Sequence, residues 1–278
     1  MLRFRDLAII LIATLAAAFF LKAFVLDAVV IPSGSMQNTL LPGDFVLVNK
    51  MSYGNMGIRS SHSPAIIPFL SRLTERHVRS GDVIVFKFPA TIKNTIVKEN
   101  DLFVKRCIAK GGDVVEIEHN KILVNELRVE MIESENHSDS YEPTDEFYPN
   151  NSNNSFEHYG PIRVPKQGDI LDLTKETYSK WESLIREEGH TVSINNRNQI
   201  TIDGSPQNHY IVQKNYLFVM GDNYYHSFDS RFWGFLPEDH VIGQASFVYW
   251  SLNNRTNGNS IKDIFNSIRW ARIGTFIR

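Results

Sequence analysis

A serine-rich turn near the amino terminus and a single lysine further along carry the side chains best suited to covalent chemistry. The turn is Ser33-Gly34-Ser35, and Lys105 follows directly after the apolar run Leu102-Phe103-Val104. A serine hydroxyl needs a base to take its proton before it attacks a carbonyl. The nine histidines are scattered and form no Ser/His/Asp pattern. A lysine that its surroundings keep neutral is the better-supported base, as in Ser–Lys enzymes.

The run before Lys105 predicts the environment that such a base needs. Lys105 would lie at the end of a buried strand, where alternation sends Phe103 and Lys105 to the same face. Apolar surroundings lower the pKa of a lysine because they disfavour its charged form. By the same alternation, Arg106 is predicted to point away.

The amino-terminal segment predicts a membrane anchor. Fifteen residues from Leu7 to Leu21 carry no charge, two arginines precede them, and Lys22 and Asp27 interrupt the apolar continuation. About 20 apolar residues span a bilayer, and the basic residues in front place the amino terminus in the cytoplasm. A cleavable signal peptide fits the segment equally well. The nearby Ser35 favours an anchor, which would hold a catalytic serine close to the bilayer.

Beyond this segment, short apolar runs bounded by Gly, Pro, Asn and Asp predict a mostly β fold. Two similar hairpins are predicted, at 113–124 and at 189–202. Residues 174–188 carry a helical pattern, whereas about 130–160 is irregular. The tail at 261–278 is predicted to be a docked helix, with a membrane-surface helix as the alternative.

Composition excludes several other classes of function. The formal net charge of -2, without a basic stripe, argues against a nucleic-acid partner. The one cysteine, Cys107, excludes an internal disulfide and a cysteine-built zinc site. Cys107 is predicted to be a small core residue.

Three boxes follow the apolar segment in order. They are Ile31 to Leu40 with Pro42-Gly43-Asp44; Phe103-Val104-Lys105-Arg106 closed by Gly111-Gly112-Asp113; and Met220-Gly221-Asp222-Asn223 with Ser227, Asp229-Ser230-Arg231 and Trp233-Gly234. Together they resemble the boxes of the type I signal peptidases, which are Ser–Lys serine proteases. The resemblance covers the apolar segment and nearly all of the chain from residue 30 onward, except the irregular stretches.

The resemblance implies a role for each matched residue. Ser35 matches the nucleophile, and Lys105 matches the general base that later protonates the leaving amine. Ser33 matches the serine whose hydroxyl forms the oxyanion hole with the backbone N–H of Ser35, while Gly34 gives the backbone freedom there. The supporting matches are Ser227, which orients the lysine; Asp229 and Arg231, a structural ion pair; and the loop of Gly221, Asp222 and Asn223. No metal and no cofactor is implied.

Two positions depart from the family pattern. Asn38 stands where a proline is usual, which removes a restraint on φ. Tyr224, Tyr225 and His226 follow Asn223 where Arg, Asp and then Asn or Ser are usual. The second departure changes the charge beside the supporting loop.

The predicted architecture is mostly β: an N-terminal transmembrane helix, then an antiparallel β catalytic domain of signal-peptidase type with a second, inserted β region. Residues 1–6 would be cytoplasmic, 7–30 the transmembrane anchor and 31–278 the extracytoplasmic catalytic region. Within that region the core boxes are 31–50, 81–129 and 211–250, and the insertion spans about 130–210. The chain would be a single-pass protein of a bacterial-type plasma membrane, with its catalytic domain on the outer face.

The predicted reaction is removal of signal peptides from secretory preproteins through an acyl-enzyme. The substrate would present an extended segment with small residues at the first and third positions before the cut. Small pockets near Ser35 and pairing with a strand edge would select it.

Two alternatives stay open. A self-cleaving Ser–Lys protease would need a DNA-binding domain where this chain has an apolar segment. An inactive, membrane-anchored β-domain binding protein would have no reason to retain Ser33, Ser35, Lys105 and Ser227 together.

Overall fold

The fold is that of a computed structural model, which describes residues 4–53, 77–89, 101–130, 146–149, 154–253 and 261–278. Much of the stretch predicted to be irregular at about 130–160 therefore lies outside the described residues.

Regular structure in the described residues consists mainly of short strands. The strands are β1 (Leu26–Val30), β2 (Asp44–Asn49), β3 (Val83–Lys87), β4 (Leu102–Lys110), β5 (Val114–Glu118), β6 (Lys121–Val124), β7 (Leu127–Val129), β8 (His158–Arg163), β9 (Ile170–Asp172), β10 (Val192–Ile194), β11 (Ile200–Ile202), β12 (Ser205–Pro206), β13 (His209–Ile211), β14 (Tyr216–Met220), β15 (Leu236–Pro237), β16 (Val241–Ser251) and β17 (Thr275–Phe276). The α-helices are α1 (Phe4–Phe20), α2 (Lys175–Glu187), α3 (Ser230–Trp233) and α4 (Ile261–Ser267). The strand pairings described below are all antiparallel, so the predicted mostly β, antiparallel fold class is confirmed.

The chain folds as two compact units. The first comprises Met1–Ile31, Gly43–His77 and Ile242–Arg278, and the second comprises Pro32–Pro42 and Val78–Val241. In the first unit β2 pairs with β1 and with β16, and β17 pairs with β16. All of the predicted site residues lie in the second unit.

In the second unit, β4 is paired on both sides, with β3 on one edge and β14 on the other. In register, Lys105 lies opposite Ile84 of β3, and Arg106 lies opposite Met220 of β14. All five residues of β14 are buried, as are four of the five in β3. Lys105 therefore lies on a central strand between two strands whose residues are mostly buried and apolar.

Smaller sheets complete the second unit. They are the four-stranded β7-β6-β5-β8, the three-stranded β10-β11-β12 and the pair β9-β13. Both predicted hairpins are observed, as β5-β6 and β10-β11. The predicted helix at 174–188 is observed as α2, which Thr174 caps by accepting the backbone N–H of Thr177. Because β8 pairs with β5, one sheet joins the predicted core and the predicted insertion.

The predicted anchor at 7–30 is helical over only part of its length. Helix α1 has 17 residues, none of them buried, and a π-helical turn follows at Leu21–Val25. The prediction is wrong for 26–30, which form β1 against β2. Asp27 contributes to this ending, because its carboxylate forms an ion pair with Lys50 of the first unit, 3.1 Å away. None of the helices in the described ranges combines the length and the apolar character needed to cross a membrane.

The carboxyl-terminal tail is only partly the helix that was predicted. Helix α4 ends at Ser267, and the chain then adds β17 to β16. Arg269 and Arg272 both reach the carboxylate of Asp44, which is fully buried. These two ion pairs hold the chain after α4, which makes a 3-10 turn at Trp270–Arg272 before β17 and does not continue the helix.

Candidate active site

Ser33 and Ser35 lie on a loop that two buried apolar side chains anchor. Met36 and Leu40 are 1% and 0% exposed, and the N–H of Leu40 donates to the carbonyl of Met36 at 2.6 Å. Ser33 is exposed and Ser35 is half-buried, with 3.4 Å between their hydroxyl oxygens. The loop thus keeps both hydroxyls near the surface while its apolar side chains are buried.

The supporting loop at 221–223 is joined to the serine loop by several backbone and side-chain hydrogen bonds. The backbone N–H of Asn223 donates to the carbonyl of Ser35 at 3.0 Å, and its side-chain Nδ2 donates to the carbonyl of Gly34 at 3.0 Å. Asn38 Nδ2 donates to the carbonyl of Asp222 at 2.7 Å. The asparagine that departs from the family pattern therefore helps to join the two loops.

Gly221 lies where the serine loop meets Ser227, the hydrogen-bond partner of Lys105. A β-carbon at this position would stand 2.2 Å from Ser227 Oγ and 2.4 Å from the Ser35 carbonyl oxygen. Real β-carbons do not approach other atoms so closely, so only glycine fits. Because both oxygens lie beside one point, the Ser227 hydroxyl and the Ser35 backbone are close neighbours.

Lys105 is a buried amine whose hydrogen-bond partner in the described part of the chain is Ser227. The residue is 2% exposed, and Nζ donates to Ser227 Oγ at 2.9 Å. The Phe103 ring lies 5.9 Å from Nζ, on the face that strand alternation predicts. Burial lowers the pKa of Lys105 to about 8; Asp229 opposes this shift and Arg231 supports it. A substantial fraction of this amine is therefore neutral near physiological pH.

Among the described residues, Ser35 Oγ is hydrogen-bonded only to Ser33, and no hydrogen bond joins it directly to Lys105 Nζ. Ser227 is the link, because its hydroxyl touches the amine and packs beside the Ser35 backbone across Gly221. Catalytic hydrogen bonds are often longer without substrate and tighten when it binds.

Asp229 and Arg231 form a bidentate ion pair with no exposed surface. Nε and Nη2 of Arg231 donate to the two carboxylate oxygens of Asp229, each at 2.8 Å. The same carboxylate accepts the N–H of Gly221 at 3.1 Å. Arg231 holds the pKa of Asp229 below its usual value despite the burial of the carboxyl. The pair thus supports the loop on which Gly221 lies.

Arg106 is a supporting residue that the sequence reasoning missed. Its side chain does leave the Lys105 face, as predicted, but it does not point away from the site. Nε and Nη2 donate to the two carboxylate oxygens of Asp222 at 2.7 and 2.6 Å, and Nη1 donates to the Gly81 carbonyl. The signal that could have found it is the adjacent acidic residue in the third box.

The reason predicted for Gly34 is wrong. Its φ lies outside the left-handed region, and a β-carbon there would meet only the flexible end of Gln37, at 3.1 Å. The close approach that requires glycine occurs instead at Gly221.

Tyr224 covers the ion pair where the family usually has an arginine. Its ring centre lies 4.4 Å from Cζ of Arg231, and its carbonyl accepts Nη2 of Arg231 at 2.6 Å. The change of charge beside the loop is thus accompanied by an aromatic contact with Arg231.

Within the described part of the chain, no group of three or more His, Cys, Asp or Glu side chains could hold a metal ion.

Comparison with known families gives a match over most of the chain. The model of the family described as signal peptidase, peptidase S26, matches residues 4–250. The chain belongs to this signal peptidase family. As a member of this family, the protein is a hydrolase of the serine endopeptidase type.

Three relatives named signal peptidase I align with most of this chain. That of Aquifex aeolicus strain VF5 is 32% identical over 84% of this chain and 80% of its own length. That of Buchnera aphidicola subsp. Schizaphis graminum is 31% identical over 89% of this chain and 75% of its own length. That of Haemophilus influenzae is 28% identical over 89% of this chain and 70% of its own length. A solved signal peptidase I from Enterococcus faecalis V583 aligns at a TM-score of 0.27 and 16% identity, covering 62% of this chain and 98% of that one, too loosely to support a comparison of folds.

Proposed function

We propose that this protein removes signal peptides from exported preproteins, with Ser35 as the nucleophile and Lys105 as the general base. The observation that carries the proposal is the burial of Lys105, whose one hydrogen-bond partner in the described residues is a serine hydroxyl. A lysine that only carried charge would be solvated, since burying an ammonium without a counter-ion is costly. Family membership and the relatives named signal peptidase I support the substrate class.

The reaction proceeds by acyl transfer and consumes one water. Neutral Lys105 Nζ takes the proton of Ser35 Oγ as this oxygen attacks the carbonyl carbon of the scissile peptide bond. The oxyanion that forms accepts hydrogen bonds from the Ser33 hydroxyl and the Ser35 N–H. The ammonium of Lys105 then protonates the leaving amine, which departs with the mature protein. Water, deprotonated by the again neutral Lys105, then attacks the ester carbonyl. As the ester bond breaks, Lys105 returns this proton to Ser35 Oγ, and the signal peptide leaves with its new carboxyl group.

The remaining residues keep this machinery in place. Ser227 orients the lysine through the 2.9 Å hydrogen bond that it accepts. The Asp229–Arg231 and Arg106–Asp222 ion pairs support the loop at 221–223, which in turn holds the Ser35 backbone.

Membrane attachment through the amino-terminal segment is part of the proposal. Helix α1 exposes large apolar side chains all around, among them Ile9, Leu11, Ile12 and Phe19. A helix that is hydrophobic on every face needs apolar surroundings. Attachment to the outer face of a plasma membrane would bring Ser35 to the place where signal peptides leave the bilayer.

Cleavage assays on two single variants test the proposed function. A purified preprotein is incubated with the wild type, with Ser35→Ala or with Lys105→Ala, and the new amino terminus is identified by mass spectrometry. Ser205→Ala and Lys121→Ala, at exposed positions, are the matched controls. We expect loss of at least about 1,000-fold in kcat for each site variant and none for the controls. Normal cleavage by both site variants would disprove the proposal.

A further inference from the structure

The guanidinium of Arg231 is enclosed by aromatic rings as well as by Asp229. Its Cζ lies 4.4 Å from the ring centre of Tyr224, 5.3 Å from that of Phe156 and 5.6 Å from that of Phe232. In the part of the chain that the structure describes, Nη1 of Arg231 is buried without a hydrogen-bond partner. The faces of aromatic rings attract a cation, and this attraction offsets part of the free energy lost when Nη1 is removed from water. The three rings therefore stabilise the buried Nη1 side of the Arg231 guanidinium.

The rings are held in place by the segment predicted to be an irregular insertion. The Tyr224 hydroxyl donates to the Phe156 carbonyl at 2.5 Å. The N–H of Tyr148 donates to the Arg231 carbonyl at 2.6 Å, and the Phe147 ring lies 4.9 Å from that of Phe232. Residues from both described parts of this segment, 146–149 and 154–157, thus close over Arg231.

The position of Arg231 affects the pKa of Lys105. Three charged groups act on the Lys105 amine: Asp229 and Asp222 raise its pKa, and Arg231 lowers it. When Arg231 is held against Asp229, it offsets part of the attraction that would keep the lysine protonated. Asp229 also accepts the N–H of Gly221, so a displaced pair would disturb the loop beside Ser227.

We propose that Tyr224 and Phe156 are positioning residues for the cleavage reaction: their rings hold Arg231 on Asp229 and keep water away from the surroundings of Lys105. Neither residue touches the reacting atoms; both act through the ion pair. The inference rests on the proposed function and gives the segment around 147–156 a role in catalysis.

The test compares pH profiles of kcat and KM for signal-peptide cleavage by the full chain. The variants are Tyr224→Leu and Phe156→Leu, which each remove a ring, and Tyr224→Phe, which keeps the ring and loses only the hydroxyl. Tyr210→Leu is the matched control, because Tyr210 is a buried tyrosine whose hydroxyl donates to Glu188 at 2.5 Å, in β13.

We expect the rising limb of kcat/KM to shift to higher pH by about 0.5 unit or more in both ring-deleted variants. Activity at pH 7 then falls about threefold or more, while kcat on the alkaline plateau and KM stay close to wild type. Tyr224→Phe should lie near the wild type, and Tyr210→Leu should leave the limb unmoved.

Two results would overturn the inference: an unmoved limb in the ring-deleted variants, or an equal shift in Tyr210→Leu. If Tyr224→Leu fails to fold, Phe156→Leu carries the test alone, since Phe156 is only half-buried. Failure of the wild type to cleave would count against the proposed function instead, so the two failures are distinguishable.

Discussion

The pH dependence of cleavage follows from the burial of Lys105. In the proposed mechanism only the neutral amine of Lys105 takes the proton of Ser35, so kcat/KM should rise with pH in proportion to the deprotonated fraction. With a pKa of about 8, that fraction is about a tenth at pH 7 and about a hundredth at pH 6. An ordinary lysine with a pKa near 10.4 would be neutral for less than about one part in a thousand at pH 7. Burial thus makes the base available at least about a hundredfold more often.

The assay is the initial rate of cleavage of a preprotein, or of a peptide spanning the cut, at low substrate concentration from pH 6 to 10. We expect a single ascending limb with a midpoint of about 8 and a tenfold change per unit below it. An enzyme concentration series at each pH separates kcat/KM from slow inactivation. A flat profile, or a midpoint near the value of free lysine, would refute the reasoning that a buried neutral Lys105 is the base.

Three further predictions concern Lys105 and two residues near it. Lys105→Met should be more stable than the wild type at pH 8, and this difference in unfolding free energy should shrink by about 3 kcal/mol by pH 10.5. The reason is that, between these pH values, the unfolded wild-type chain binds more protons than the folded one, so the wild type gains stability as the pH rises. Urea denaturation of both proteins at the two pH values measures the difference. Gly221→Ala should reduce kcat by at least about 100-fold with little effect on KM, because the new methyl group would displace Ser227 or the Ser35 backbone; a wild-type kcat would contradict this. Arg231→Met should cost about 3–5 kcal/mol of stability by leaving Asp229 buried and unpaired, and a change below about 1 kcal/mol in thermal or urea unfolding would contradict it.

Local rules of the chain predict much of the fold that surrounds the site. Alternation along β4 correctly places Phe103 beside Lys105, since it depends only on neighbours in the same strand. The hairpin β5-β6 is equally local, with His119 and Asn120 in the left-handed region of its turn. Such features depend on a few consecutive residues, and the sequence therefore contains the information for them.

What the sequence could not predict depends on packing between distant segments. Alternation gives the face on which Arg106 lies but not that Asp222, far along the chain, packs against it. The bond from Asn38 to the Asp222 carbonyl is of the same kind. The sequence of the amino-terminal segment also could not show where its helical part ends, because pairing with β2 determines the structure of 26–30. Side-chain periodicity contains no information on which distant segment a face will meet.

The most direct test of the central claim is to trap the acyl-enzyme on Ser35. An ester analogue of the substrate, with the scissile amide replaced by an ester, acylates faster and favours accumulation of the intermediate. After acid quenching, mass spectrometry of proteolytic fragments locates the added acyl group. We expect it on Ser35 in the wild type, and its formation should slow by at least about 100-fold in Lys105→Met. An acyl group on another residue, or equally fast acylation without the lysine, would contradict the account.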